Sequence, residues 1–200
     1  MVMCHLPTPP SEYDLRFTCG VLLFDEDGNI LVVLEGSGRY GLPKGKIEAQ
    51  DVIAALGRGS SHPSLQLCLA LLHANVLHTL HPELFNEICK CAAIREVQEE
   101  IGLRYGHDYT IVSPTPLPRH LVGEHHKAVS IFVGRMLRAT AECVVDPKEI
   151  QKVLWVNWHS DTLRHLNQSL YMLKSKKRKS TTGPQVDLFQ TAKRMAFPGV

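Results

Sequence analysis

The sequence holds little of what marks several common classes of protein. None of its six cysteines form a Cys-x-x-Cys pair or a zinc-finger spacing, which excludes a disulfide scaffold or a structural zinc module and points to reduced thiols in a cytoplasmic or nuclear setting. No apolar run is long enough for a comfortable membrane span. The most apolar stretch, Leu65 to Leu80, is broken by His73, Asn75 and His78, so no membrane partner is expected. Met1 to Pro10 has no apolar centre and carries three prolines, so no secretory leader is expected there. Charge of one sign is also scarce: 22 basic against 20 acidic residues leave +2, which says little about partners. What excess there is gathers in Lys174-Ser-Lys-Lys-Arg-Lys179. Such a run is a solvated tail by default, and a nuclear-import signal or a hold on nucleic-acid phosphates are the sharper options.

Two hundred residues with 44% hydrophobic content suffice for one domain with a sizeable core. The alternation of Phe17, Cys19, Val21 and Leu23 predicts a buried strand over 15–24. Asp25-Glu-Asp-Gly-Asn29 is a turn, because Asp-Gly and Gly-Asn tolerate positive φ, and residues 30–34 make the partner strand. Glycines 36, 38, 41 and 45 with Pro43 then punctuate a loop. Later strands are expected at 109–112, at 127–137 and near the end of 146–158, with a closing helix over 160–173. Pro114, Pro116 and Pro118 stiffen a loop that leads to a polar cluster of Arg119, His120, Glu124, His125 and His126.

The chemistry is concentrated in Cys91-Ala-Ala-Ile-Arg-Glu-Val-Gln-Glu-Glu-Ile-Gly-Leu103. Its good helix formers predict one helix, with Gly102 just past the end. At 3.6 residues per turn, Glu96, Glu99 and Glu100 share one face and Ile94, Val97 and Ile101 another. Three crowded carboxylates are either a solvated acidic face or oxygen ligands for a hard divalent cation such as Mg²⁺ or Mn²⁺.

Together with the cationic loop Gly41-Leu-Pro-Lys-Gly-Lys-Ile-Glu48, this helix resembles the box of the Nudix hydrolases, G-x5-E-x7-R-E-U-x-E-E-x-G-U with U aliphatic. Arg95, Glu96, Val97, Glu99, Glu100, Gly102 and Leu103 match in one run, and Gly45 supplies the opening glycine. Within the family, the Tyr40 to Lys46 loop and the helix look most like the catalytic domains of messenger-RNA decapping enzymes. The box is split. Asp51 fills its acidic position counted from Gly45, Glu87 fills it counted back from Arg95, and removing residues 51–86, 36 in all, restores the spacing. That interval is either a long loop inserted in the box or a segment foreign to the mature protein. As an insertion it is expected to be helical over 64–80 and to sit outside the sandwich, with leucines that surround the helix and so want burial against the parent domain or another chain. Closing a long loop costs little more than closing a short one.

The resemblance implies an α/β fold: a Nudix α/β/α sandwich with a mixed sheet and a helical insertion in the Nudix loop. It implies a lead-in over 1–14, a catalytic domain over 15–173 and a basic tail over 174–200. It further implies a metal-dependent pyrophosphohydrolase that splits a phosphoanhydride in a nucleoside diphosphate-linked substrate. Mg²⁺ or Mn²⁺ would be held by Glu96, Glu99, Glu100 and the Gly45 carbonyl. Arg95 would turn away from Glu96 and fix the box loop through Glu87 or Asp51. Glu99 and Glu149, with Glu124 behind, are candidates for the base, and Lys44 and Lys46 for meeting phosphate oxygens. A nucleotide or an RNA 5′ end would be the substrate. The alternatives are a hydrolase of dinucleoside or diphosphoinositol polyphosphates, and a Nudix-like module that binds RNA or protein without turnover.

Overall fold

The computed structural model describes residues 17–57, 63–117, 120–122, 127–139, 141–145, 147–159 and 188–199. The chain begins with β1 (Phe17–Phe24), β2 (Ile30–Glu35), β3 (Tyr40–Gly41) and β4 (Lys44–Lys46). Four helices follow: α1 (Ala49–Leu56), α2 (Leu65–His73), α3 (Leu77–Leu80) and α4 (Pro82–Ile101). Then come β5 (Tyr109–Ile111), β6 (His120–Val122), β7 (Lys127–Met136), β8 (Ile150–Val156) and α5 (Leu188–Ala196). No helix among the described residues is long and apolar enough to cross a membrane.

All eight strands join one mixed sheet, with a backbone order β3-β2-β1-β7-β5. β1 and β7 run parallel over their full length, from Phe17 opposite Ala128 to Phe24 opposite Arg135, and the remaining pairings are antiparallel. Each face of β1 is covered. Phe17, Cys19, Val21 and Leu23 pack under α4, and Leu22 and Phe24 pack under α5 with Trp158 and Phe189. This is an α/β/α sandwich, and a strand buried on both faces is what an uninterrupted apolar run such as Val21 to Phe24 calls for.

The Asp25 to Asn29 turn forms as its residues dictate. Gly28 takes a positive φ of 77°, and the Asp25 carboxylate accepts from the Asn29 N–H and side-chain amide at 2.7 and 2.9 Å. The glycine-rich stretch holds two short strands that its punctuation hid, β3 against β2 and β4 against β1. The expected closing helix at 160–173 lies outside the described residues. Among the described residues, α5, inside the stretch read as a tail, covers the second face.

Residues 51–86 differ from expectation in two ways. They do not form a unit outside the sandwich: Val52, Ala55, Cys68, Leu72, Leu77, Leu84 and Phe85 belong to the same buried core as β1 and α4. The apolar residues distributed around 64–80 need cover on more than one side, and the parent domain supplies it. Nor is 64–80 a single helix. Asn75 sits at φ 57°, a left-handed position that asparagine tolerates, and divides α2 from α3. The acidic helix is also longer than the match alone predicts. It starts nine residues earlier, with Pro82 at its first turn, and stops at Gly102 with φ 73°.

Candidate active site

The site lies where β4 crosses the last turns of α4. Antiparallel register sets Gly45 opposite Cys19 and Lys44 opposite Gly20. In such a ladder successive residues turn their main-chain groups to opposite sides. Lys44 and Lys46 therefore present theirs to the helix. The Lys44 N–H donates to Glu100 Oε2 at 3.3 Å, and the Lys46 carbonyl accepts from Arg95 Nη2 at 2.8 Å. The Val21 N–H to Pro43 and Ile47 N–H to Phe17 bonds put Gly45's own main-chain groups on the β1 side. Gly45 is needed for another reason: a Cβ there would fall on the Glu96 carboxylate. With Glu96 where it stands, the loop leaves no room for a side chain at this position.

Arg95 ties the two halves of the box together. Its Nε donates to Asp51 Oδ1 at 3.0 Å and its Nη2 to Asp51 Oδ2 at 3.1 Å, a bidentate grip across 44 residues of sequence. Of the two acidic candidates, Asp51 is the one that takes Arg95. Asp51 is held in place by its own position in α1, where it closes a reciprocal capping box with Glu48. The expectation that Arg95 turns away from Glu96 does not hold. Its Nη1 lies 2.7 Å from Glu96 Oε1 and 2.6 Å from Glu99 Oε2, because three carboxylates on one turn draw the nearest cation among them. Burial opposes the Arg95 charge, but the hydrogen bonds it donates to Asp51 and Glu99, with the Glu96 charge, outweigh that and raise its pKa.

Burial dominates the two inner carboxylates. Glu96 is pushed above the usual carboxylate range even though Arg95 pulls the other way. Glu100 is pushed up to about 8 by burial, with the Lys44 charge and N–H only partly offsetting it and the Glu96 and Glu149 charges adding to the rise. Glu149, exposed just before β8, is thus near enough to be felt at Glu100. Glu99 is half exposed at the rim. Lys44 has a partner the sequence did not announce: its Nζ lies 2.7 Å from Glu35 at the end of β2, where the ladder to β8 slips. A charge at a strand end before glycine reads as solvent-facing, so no local signal marks Glu35. Lys46 is exposed on the far side of the Gly45 contact.

Among the described residues no three His, Cys, Asp or Glu side chains are drawn into one cluster, since Arg95 holds Glu96 and Glu99 to itself. His78 and His81 form no such group either, and His78 packs against Phe17 and Phe85. Glu124, His125 and His126 lie outside the described residues, and His120 falls in β6. A cleft of about 430 Å³ opens between α1 and α4, with Asp51, Arg95 and Glu99 in its wall.

No family model and no curated protein sequence matches the chain. Among solved structures, it is similar to a MutT protein from Methanosarcina mazei Go1, at 17% identity over 89% of this chain and 92% of that one, with a TM-score of 0.45. It is similar to a Nudix-family hydrolase from Clostridium perfringens, at 16% identity over 80% and 93%, with a TM-score of 0.49. A third is an Ap4A hydrolase from C. elegans in a binary complex, at 15% identity over 70% and 77%, with a TM-score of 0.42. The chain folds as the α/β/α sandwich with a mixed sheet that the Nudix resemblance implies.

Proposed function

We propose that the chain is a metal-dependent hydrolase of the Nudix type that splits a phosphoanhydride in a nucleoside diphosphate-linked substrate. One observation carries this: Arg95, gripping Asp51 and the Lys46 carbonyl, closes the box loop onto the acidic turn although 36 residues interrupt the box. The donors suit a hard divalent cation in kind, although Arg95 now bridges Glu96 and Glu99. They are all oxygen, and two of them, Glu96 and Glu100, are carboxylates whose pKa burial raises, so a cation placed among them would be favoured.

Glu96, Glu99 and Glu100 would hold Mg²⁺ or Mn²⁺. Gly45 would give a backbone oxygen only if its pairing with β1 yields at that residue, whereas the Lys44 carbonyl lies on the helix side already. Such ions offset phosphate charge and lower the pKa of a bound water. The chain's own part is positional. Arg95 fixes the loop, Lys44 and Lys46 would offer cations to phosphate oxygens, and Glu149, whose charge is felt at Glu100, would take a proton from water, with Glu99 the alternative at the rim. A nucleotide and an RNA 5′ end are both within this class.

The test is turnover. The protein is incubated with Mg²⁺ or Mn²⁺ and capped RNA, diadenosine polyphosphates, nucleotide sugars or diphosphoinositol polyphosphates. Products that vanish with Glu99→Gln or Glu100→Gln support hydrolysis. Metal-independent RNA binding with no product from any substrate would replace it with a binding module.

A further inference from the structure

We propose that the cleft between α1 and α4 receives the nucleoside end of the substrate. The proposal rests on the hydrolase reading and deepens it by giving the base-bearing end of the substrate a place. In an unbroken box the acidic residue and the arginine share one continuous segment. Here Asp51 and Arg95 come from two helices lying side by side, and the gap between those helices is the cleft. Its volume, about 430 Å³, is that of a small-molecule site. Its wall is shared with the proposed catalytic turn through Arg95 and Glu99, so a ligand in it abuts the place of reaction.

The charges in the lining decide which end of a substrate fits. They are Arg95, Asp51 and Glu99: one positive against two negative, hence a formal −1. The Arg95 guanidinium is already committed at Nε, Nη1 and Nη2, to Asp51, Glu99 and the Lys46 carbonyl. A phosphate would find no spare cation there and would face two carboxylates. A neutral nucleoside meets no such penalty, and a methylated cap guanosine, which is cationic, would gain.

The rest of the lining suits a flat heterocycle. Ile94 and Ala54, one on each helix, present apolar surface to the ring faces. Gln98 and Gln50 present amides to the edge. The Gln50 NH₂ donates to Glu48, which leaves its carbonyl oxygen as acceptor, and glutamine pairs bidentately with an adenine edge. A diphosphoinositol polyphosphate, whose non-reacting part is itself densely anionic, is disfavoured on the same grounds.

The experiment compares the full chain with Ile94→Trp, which fills the cleft, with Gln98→Ala, and with Ile53→Trp, a bulky control at an exposed α1 position outside it. Substrates are diadenosine tetraphosphate, a methyl-capped short RNA and base-free inorganic tripolyphosphate. Ile94→Trp is expected to raise KM at least tenfold for the first two, with kcat within about twofold and the tripolyphosphate KM unchanged. Gln98→Ala should raise KM several-fold for the adenosine substrate, and Ile53→Trp should change nothing. The larger loss between the two base-bearing arms tells which nucleoside the cleft takes. Equal KM values for wild type and Ile94→Trp, or equal losses with and without a base, would overturn the proposal. If wild type hydrolyses nothing, the hydrolase reading fails separately. Binding of a non-hydrolysable diadenosine analogue to wild type and Ile94→Trp then reads the cleft directly, with equal affinities or no binding overturning it.

Discussion

At Gly45 the loop backbone meets the Glu96 carboxylate with no room for a methyl group. The obstructing atoms are the free end of a flexible side chain, so the fold can yield by moving Glu96 rather than by opening the core. Gly45→Ala should therefore cost little stability, on the order of 1 kcal/mol by denaturant unfolding. If Glu96 is the metal ligand proposed, displacing it should still weaken Mn²⁺ or Mg²⁺ binding on the order of 10- to 100-fold in a metal titration. A large loss of stability with unchanged metal affinity would show that the close approach serves packing alone. Glu100 gives a second residue-scale outcome, in pH. Its folded pKa, about 8, lies above that of an unfolded glutamate. A raised carboxylate stabilises the folded state fully below the unfolded value and ceases to do so as pH climbs through the folded one. With a chelator present, stability should fall from about pH 4.5 to pH 8. A bound divalent cation favours the carboxylate form and should flatten that decline, and identical pH profiles with and without metal would remove Glu100 from the ligand set.

Among the elements, those written in local pattern were legible in the sequence. Alternation marked β1 and β7, Asp-Gly marked the turn before β2, and the three- and four-residue spacing of the glutamates with Gly102 marked the end of α4. What depended on tertiary pairing was not. Nothing local decides whether Arg95 takes Asp51 or Glu87, since both satisfy a spacing and only the docking of α1 on α4 chooses. Glu35 and Lys44 are nine residues apart on separate strands, and their pairing depends on where the ladder slips. The placing of residues 51–86 was the largest departure, because a helix apolar on several sides announces a need for burial, against the parent domain or another chain, without saying which. Phe85 shows the answer: it is fully buried, edge-on to Phe17 at 4.9 Å. Phe85→Ala should cost about 3–5 kcal/mol, as for other large core truncations, within one cooperative unfolding transition. A separate early transition, leaving the rest of the unfolding curve unmoved, would mean that these helices are an appended unit after all.

For the molecule as a whole, the sandwich keeps chemistry and closure on opposite faces of one sheet. The carboxylates of α4, the β4 loop and the cleft all lie on one side, and α5 seals the other with Leu188, Phe189, Ala192 and Ala196 against Leu22, Phe24 and Val133. Phe189 stacks on Trp158 at 4.2 Å with the ring planes nearly parallel, and Phe197 meets Phe24 edge-on. Two large side chains buried at about 1.5–3 kcal/mol each, with the stacking added, are a sizeable part of a typical domain stability of about 5–15 kcal/mol. Ending the chain at residue 187 should accordingly lower Tm by well over 10 °C, expose an apolar sheet face to a hydrophobic dye and weaken the near-ultraviolet signal of Trp158. Because β1 separates the two faces, the protein that stays folded at low temperature should keep its KM for substrate while losing active fraction. A truncated chain with native Tm would show that α5 does not cover this face. A stable one whose KM alone has risen would move part of the binding site across the sheet, to the side where only packing is now assigned.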